Sequence, residues 1–110
     1  MALADLRKIR QLSPALQNEI AAKVATFINL ASVSSNDALL YQSLAVAMQD
    51  RRDAIASGAT SITDVRWAAA ALSEAWCGAK LGKSQGRIST ATATAIMQAI
   101  EQFAFHTMTR

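Results

Sequence analysis

The sequence predicts an all-α fold, a compact bundle of about five short helices forming one domain over residues 1–110. Hydrophobic residues make up 52% of the chain but aromatic residues only 5%, so the core must consist mainly of aliphatic side chains and alanine, which suits closely spaced helices. One proline and four glycines are too few for the turns of a β-sandwich. Apolar residues also recur at steps of three and four along most of the chain, which is the helical period.

The first two helices are predicted on either side of the single proline. Ser13-Pro14 is typical of an N-cap followed by the first helical position, where a missing N–H costs nothing. Before it, residues 3–12 carry an apolar residue at every third position and predict a short helix. From Pro14 to about Ala31 the apolar stripe of a second helix contains Leu16, Ile20, Val24, Phe27 and Ala31.

A third helix is predicted to begin near Asp37, after the polar break at residues 32–36, and to run to about Ser57. Gly58 is well placed to end it in the left-handed conformation. The expected core face contains Leu40, Leu44, Ala47, Met48 and Ile55. Arg51 falls within this apolar stripe, so we expect it to reach a rim or to meet a buried acid.

The fourth and fifth helices are separated by a predicted break at residues 82–86. Ser61 to Asp64 resembles a capping box with Asp in the usual Glu position, which predicts a helix over roughly Ile62 to Leu81. Ser89 or Thr90 can cap the last helix. Its core residues are expected to be Ile96, Ile100 and Phe103.

The fourth helix is apolar nearly all round. Its main stripe contains Ile62, Val65, Ala69, Leu72 and Trp76, and the opposite side contains Trp67, Ala71, Gly78 and Leu81. Such a helix is either wrapped on several sides by its own bundle or exposes one face to another chain. The pattern leaves both interpretations open.

The main functional hypothesis concerns contact between chains. On the third helix, Leu39 and Val46 lie among polar residues opposite the expected core face. We therefore expect a protein interface that contains Trp67, Ala71, Gly78, Leu39 and Val46. The predicted function is a non-catalytic helical interaction or assembly subunit, acting as a homo-oligomer or as a small subunit of a larger complex.

An alternative hypothesis is sequence-independent binding of an RNA or DNA backbone, as in a ribonucleoprotein-type complex. The chain carries a formal net charge of +3, and cations and hydroxyls near a helix N-terminus suit a phosphate. The candidate residues are Lys80, Lys83, Ser84 and Arg87, with Arg7, Lys8 and Arg10 as a second basic cluster. An ordinary solvated basic loop also explains this pattern, and we favour that interpretation because the loop has no aromatic side chain on which a base could stack. A helix-turn-helix regulator is a distant third, because Gly86 would lie inside the reading helix.

No catalytic, cofactor or metal site is predicted. His106 is the single histidine and Cys77 the single cysteine, which excludes a zinc cluster of the usual kind and leaves no triad supported by spacing. Gly82-Lys83-Ser84 ends like a phosphate-binding loop, but that motif requires glycine where Cys77 stands. The lone cysteine, the early charges at the N-terminus and the absence of an apolar run of roughly 18 residues lead us to expect a soluble cytoplasmic protein.

Overall fold

A computed structural model describes residues 3–32 and 37–108 of the chain and confirms the all-α prediction. The described part contains five α-helices and no strand. These are α1 (Leu3–Arg10), α2 (Pro14–Ala31), α3 (Asp37–Ala56), α4 (Val65–Ser84) and α5 (Thr90–Met108). The bounds of α2 match the prediction, whereas α4 begins and ends three residues later than expected.

Local hydrogen bonds explain where the helices begin and end. The Leu16 N–H donates to Ser13 Oγ at 3.3 Å, so Ser13 is the N-cap that the sequence predicts. The Thr92 N–H donates to Ser89 Oγ at 3.1 Å, so of the two predicted caps of α5 it is Ser89 that caps the helix. Gly58 follows α3 with a φ of 97°, the left-handed conformation that glycine adopts most easily.

The predicted capping box before α4 is wrong. Asp64 is itself the N-cap, and its carboxylate accepts the Arg66 N–H at 2.9 Å. An aspartate at the N-cap satisfies one of the free N–H groups of the first turn. The helix therefore starts at Val65 instead of near Ile62.

The core lies around α4, which packs against α2, α3 and α5. The helices α2 and α5 also pack against each other, whereas α3 packs mainly on α4 and makes little contact with α2. Ser84 at the end of α4 bonds to Asp37 at the start of α3, so α3 and α4 run antiparallel. The largest side chains that are almost completely buried come from every helix: Trp76, Phe103, Ile9, Ile20, Leu40, Leu72, Leu81, Val24 and Cys77.

The predicted core face of α3 is only partly correct. Leu40 and Ala47 are buried, but Met48 and Ile55 are 38% and 50% exposed. Since α3 packs mainly on one neighbouring helix, only a narrow stripe of it can be covered. Arg51 does meet an acid as expected, because its Nη1 lies 3.0 Å from Oε2 of Glu74 on α4.

The remaining core predictions agree with the packing. On α2, Ile20, Val24 and Ala31 are buried, while Leu16 is half-buried. On α5, Ile100 and Phe103 are buried. None of the helices in residues 3–32 and 37–108 is both long enough and apolar enough to cross a membrane.

Candidate protein-interaction surface

The exposed apolar side chains are concentrated on α3. Eight large apolar side chains in the described part of the chain are exposed, and five of them belong to this helix. They are Leu39, Tyr41, Val46, Met48 and Ile55, with exposed fractions between 38% and 54%. Single exposed apolar residues are common on protein surfaces, but five on one helix are a feature that needs an explanation.

These side chains form two flanks on either side of a buried stripe. The stripe consists of Leu40, Ala47 and Ala54, spaced by seven residues. Because successive residues of a helix are rotated by roughly 100°, the residues just before and just after the stripe lie on opposite sides of it. The first side, which we call the groove flank, contains Leu39, Val46 and Asp53, and the second, the outer flank, contains Tyr41, Met48 and Ile55.

A groove of about 580 Å³ lies between α2 and α3, and α4 forms its floor. Ala69, Ala70 and Ser73 of α4 contribute small side chains to this floor. The walls consist of Ala22, Lys23, Thr26 and Phe27 from α2, and of Asp50, Asp53, Ala54 and Ser57 from α3; Arg66 of α4 also lines the groove. The groove exists because α2 and α3 both pack on α4 but hardly contact each other.

The charges of the groove are separated. Asp50 and Asp53 lie on the α3 wall, whereas Lys23 lies on the α2 wall. The Arg66 guanidinium is paired with the carboxylate of Asp64 at 2.8 Å, and this hydrogen bond lowers the pKa of Asp64 to about 2. The α3 wall is therefore acidic, and the wall that faces it is basic.

Both walls continue beyond the charged part as apolar surface. Leu30 of α2 is 72% exposed and stands three residues after Phe27 and seven after Lys23, so it lies on the side of α2 that lines the groove. On α3, Leu39 and Val46 continue the stripe of Asp53 at the seven-residue spacing described above. Both walls of the groove therefore carry exposed apolar side chains beyond its charged part.

The structure places the α4 residues of the predicted interface mostly inside the chain. Ala71 is 4% exposed, and Trp67 is half-buried and packed against the core. Gly78 is half-buried, and Trp76 is almost completely buried. Of the two interpretations that the sequence left open, the structure shows the central helix wrapped by its own bundle.

The predicted interface residues do not form one surface. Gln85 donates a hydrogen bond to the Tyr41 hydroxyl on the outer flank of α3. Because Ala71, Gly78 and Gln85 are spaced by seven residues, this side of α4 adjoins the outer flank. Leu39 and Val46 instead lie on the groove flank. The helical period identified the apolar stripe of each helix. Only the packing shows that α3 lies between the α4 residues of the predicted interface and the groove flank.

Two of the candidate phosphate-binding residues near the end of α4 have partners of their own. Lys80 is half-buried, and its Nζ lies 5.0 Å from the centroid of the Trp76 ring, a cation–π contact. The Ser84 hydroxyl lies 2.9 and 3.0 Å from the two carboxylate oxygens of Asp37. Lys83 and Arg87 are exposed. The phosphate-binding hypothesis assigns the Ser84 hydroxyl to a phosphate ligand, but in the structure this hydroxyl is already hydrogen-bonded to a carboxylate.

The second basic cluster lies at the other end of α5. Arg10 borders a small polar cavity of about 270 Å³ together with Gln102 and His106 near the C-terminal end of this helix, whereas Arg87 precedes its N-terminus. A helix of 19 residues is about 28 Å long. Arg7 and Lys8 are exposed on α1 beside Arg10. The structure therefore does not combine the two clusters into one phosphate-binding surface.

The single cysteine of the chain lies in the core. Cys77 is buried, and its thiol donates to the Leu40 carbonyl at 3.0 Å. Burial raises the pKa of the Cys77 thiol, which disfavours the reactive thiolate. Within residues 3–32 and 37–108, no three His, Cys, Asp or Glu side chains are grouped so that they could hold a metal ion.

Comparisons of the chain with protein-family models, with curated proteins and with solved structures find no match in any of the three.

The sequence analysis did not predict the α2–α3 groove. Its traces in the sequence are the run of small residues from Ala68 to Ala71 and the two aspartates three residues apart at positions 50 and 53. Neither trace shows that α2 and α3 stand apart, because their separation depends on the packing of both helices on α4.

Proposed function

We propose that this protein is a non-catalytic interaction or assembly subunit that binds another protein chain through α3 and the adjoining groove. The observation that carries this proposal is the set of five exposed apolar side chains on a helix that packs mainly on one neighbour. A groove of small and apolar side chains with charged walls is the kind of surface that accepts an amphipathic helix.

The expected energetic gain supports the same function. Complete burial of an exposed Leu, Val, Ile or Met side chain is worth roughly 1.5–3 kcal/mol. Side chains that are already about half covered in the free chain would gain about half of this value. Leu39, Val46 and Leu30 together would contribute roughly 2–5 kcal/mol. Because association costs about 4–15 kcal/mol in lost freedom of motion, the other contacts of the groove must supply the rest. We place this subunit in the cytoplasm, where its single thiol stays reduced.

The proposal is tested by the size of the complex in native cell lysate. We expect the chain to elute well above its own mass of 11.7 kDa. Replacing both Leu39 and Val46 with serine should shift it to the monomer position, because the apolar contact area is lost. Both residues are exposed, so the circular dichroism spectrum and the Tm of the purified variant should stay close to those of the wild type.

A matched control is provided by the exposed apolar residues at the end of α5. Phe105 and Met108 are 38% and 47% exposed, and replacing both with serine removes a comparable apolar area away from α3. This control should leave the complex intact. A wild-type chain that is monomeric in lysate, or two double variants with equal effects, would contradict the proposed function.

A further inference from the structure

We propose that the partner is a second copy of this chain, bound head to tail, so that the outer flank of α3 in one copy docks into the α2–α3 groove of the next. This inference rests on the proposed function and specifies the partner. The two surfaces belong to opposite sides of the same helix, and therefore both are present on every copy.

The C-terminal half of α3 carries opposite charges on its two flanks. The groove flank lies beside Asp50 and Asp53, which form the acidic wall. On the outer side, Arg52 lies within roughly 40° of Tyr41 and Met48 around the helix, and its guanidinium is exposed. Arg52 donates to Gln49 at 2.8 Å, and Gln49 in turn donates to Asp53 at 2.8 Å. Arg52 has no carboxylate partner of its own among the ion pairs of the described residues. The basic edge of one copy thus complements the acidic wall of another.

Most other charges near these surfaces have a partner or stand on the other wall. Asp37, at the start of the outer side of α3, accepts a hydrogen bond from the Ser84 hydroxyl at 2.9 Å. Arg51 pairs with Glu74 at 3.0 Å, and Arg66 pairs with Asp64 at 2.8 Å. Lys23 lies across the groove from the aspartates. A docked α3 would therefore be oriented with Arg52 toward Asp50 and Asp53 and away from Lys23.

The spacing and size of the side chains also suit a contact between the outer flank and the groove. Tyr41, Met48 and Ile55 repeat at exact seven-residue intervals, a spacing typical of helices that pack side by side at a shallow angle. The floor of the groove is built from alanine and serine, which allows a helix to approach closely. Longer side chains from the outer flank would fill the space that these small residues leave.

A contact between two different surfaces is heterologous. Such contacts continue from copy to copy and give a closed ring or an open filament, depending on the rotation at each step. A two-fold dimer would instead bring the same surface of both copies together. The size distribution of the purified protein therefore separates the two kinds of symmetry.

Sedimentation velocity of the purified chain over a range of concentrations provides the test. We expect the wild type to form species larger than a dimer as the concentration increases. Met48→Glu places a charge on the outer flank, and Thr26→Trp fills the groove from an exposed position on α2. Each variant alone should remain monomeric, with association weakened at least about tenfold, because each lacks one of the two surfaces.

An equimolar mixture of the two variants is the decisive experiment for head-to-tail binding. The Met48→Glu chain keeps an intact groove, and the Thr26→Trp chain keeps an intact outer flank, so the mixture should form a 1:1 heterodimer and nothing larger. Met108→Glu and Asn18→Trp change exposed residues outside both surfaces and should associate like the wild type. If either main variant fails to fold, Ile55→Glu and Asp53→Arg form an equivalent pair.

Several results would overturn the inference. These are a wild-type chain that stays monomeric at every concentration, a wild-type chain that stops at a dimer, or a mixture of folded variants that forms no heterodimer. If the purified chain is monomeric while the complex in lysate still depends on Leu39 and Val46, the proposed function stands and the partner is a different protein. If the lysate complex is also absent, both proposals fail.

Discussion

The helices α3 and α4 have the same length of 20 residues but very different surroundings. Eleven residues of α4 are buried, and they lie on all sides of the helix, whereas only three residues of α3 are buried, all on one stripe. The difference follows from the number of neighbours, because α4 is packed by three helices and α3 mainly by one. An apolar residue on α4 therefore supports the fold, and an apolar residue on a flank of α3 is available to another molecule.

Leucine-to-alanine substitutions at three sites test this contrast, and they should give the largest changes in the free energy of unfolding. Leu72→Ala in α4 and Leu40→Ala in α3 each empty an almost completely buried position, and each should lower the free energy of unfolding by about 3 kcal/mol. Leu39→Ala, at a position that is 44% exposed, should cost less than about 1 kcal/mol. Urea unfolding followed by circular dichroism measures all three.

A Leu39→Ala variant as destabilised as Leu40→Ala would show that the groove flank is part of the core. That result would remove the basis of the proposed function, because the flank would then support the monomer. The two leucines are neighbours in sequence, so differences in helix propensity do not complicate their comparison.

The two glycines within α4 sharpen the comparison further. A Cβ at Gly78 would meet no heavy atom within 4 Å, whereas a Cβ at Gly82 would lie 3.1 Å from Cγ1 of Ile88. Gly78→Ala should therefore raise the free energy of unfolding by about 0.5–1 kcal/mol through helix propensity. Gly82→Ala should gain less, because Ile88 must move.

The Gly78→Ala variant also checks the interface that the sequence predicted on α4. If a partner helix approached closely at this position, the added methyl group would weaken association in sedimentation experiments. We expect no change in association, because the partner-binding surfaces of our proposal lie on α3 and in the groove. The Tm of both glycine variants gives the stability comparison.

The smallest effect concerns the N-terminus of α4 at low pH. The pKa of Asp64 is lowered from 3.8 to about 2 in the folded chain, chiefly by its hydrogen bond with the Arg66 side chain. Between pH 3.8 and about pH 2 the unfolded chain therefore binds more protons than the folded chain. As a result, the contribution of Asp64 to stability is present above pH 4 and is lost as the pH falls toward 2.

Asp64→Asn keeps an efficient N-cap but does not titrate. The stability difference between wild type and this variant should shrink as the pH falls from 4 to 2, as measured by urea unfolding at each pH. Asp50→Asn, at an exposed position on α3, is the control for general charge effects. A difference that stays constant over this window would show that the Asp64–Arg66 pair does not form in solution.

The sequence alone predicted those features that depend on near neighbours along the chain. The capping serines at positions 13 and 89, the left-handed Gly58 and the bounds of α2 all follow from hydrogen bonds and φ angles within one turn. The start of α4 was misplaced because Ser61 and Asp64 can both serve as N-caps. The choice between them is not visible in the pattern of residue types.

What only the tertiary structure decided is how much of each helix is covered. Hydrophobic periodicity identifies the stripes of a helix but not the number of helices that pack around it, which depends on contacts between residues far apart in sequence. The sequence therefore placed surplus apolar surface on α4, whereas the packing buries α4 and leaves α3 exposed. The groove beside α3 and the separation of the two basic clusters arise in the same way, from the positions of whole helices around a common core.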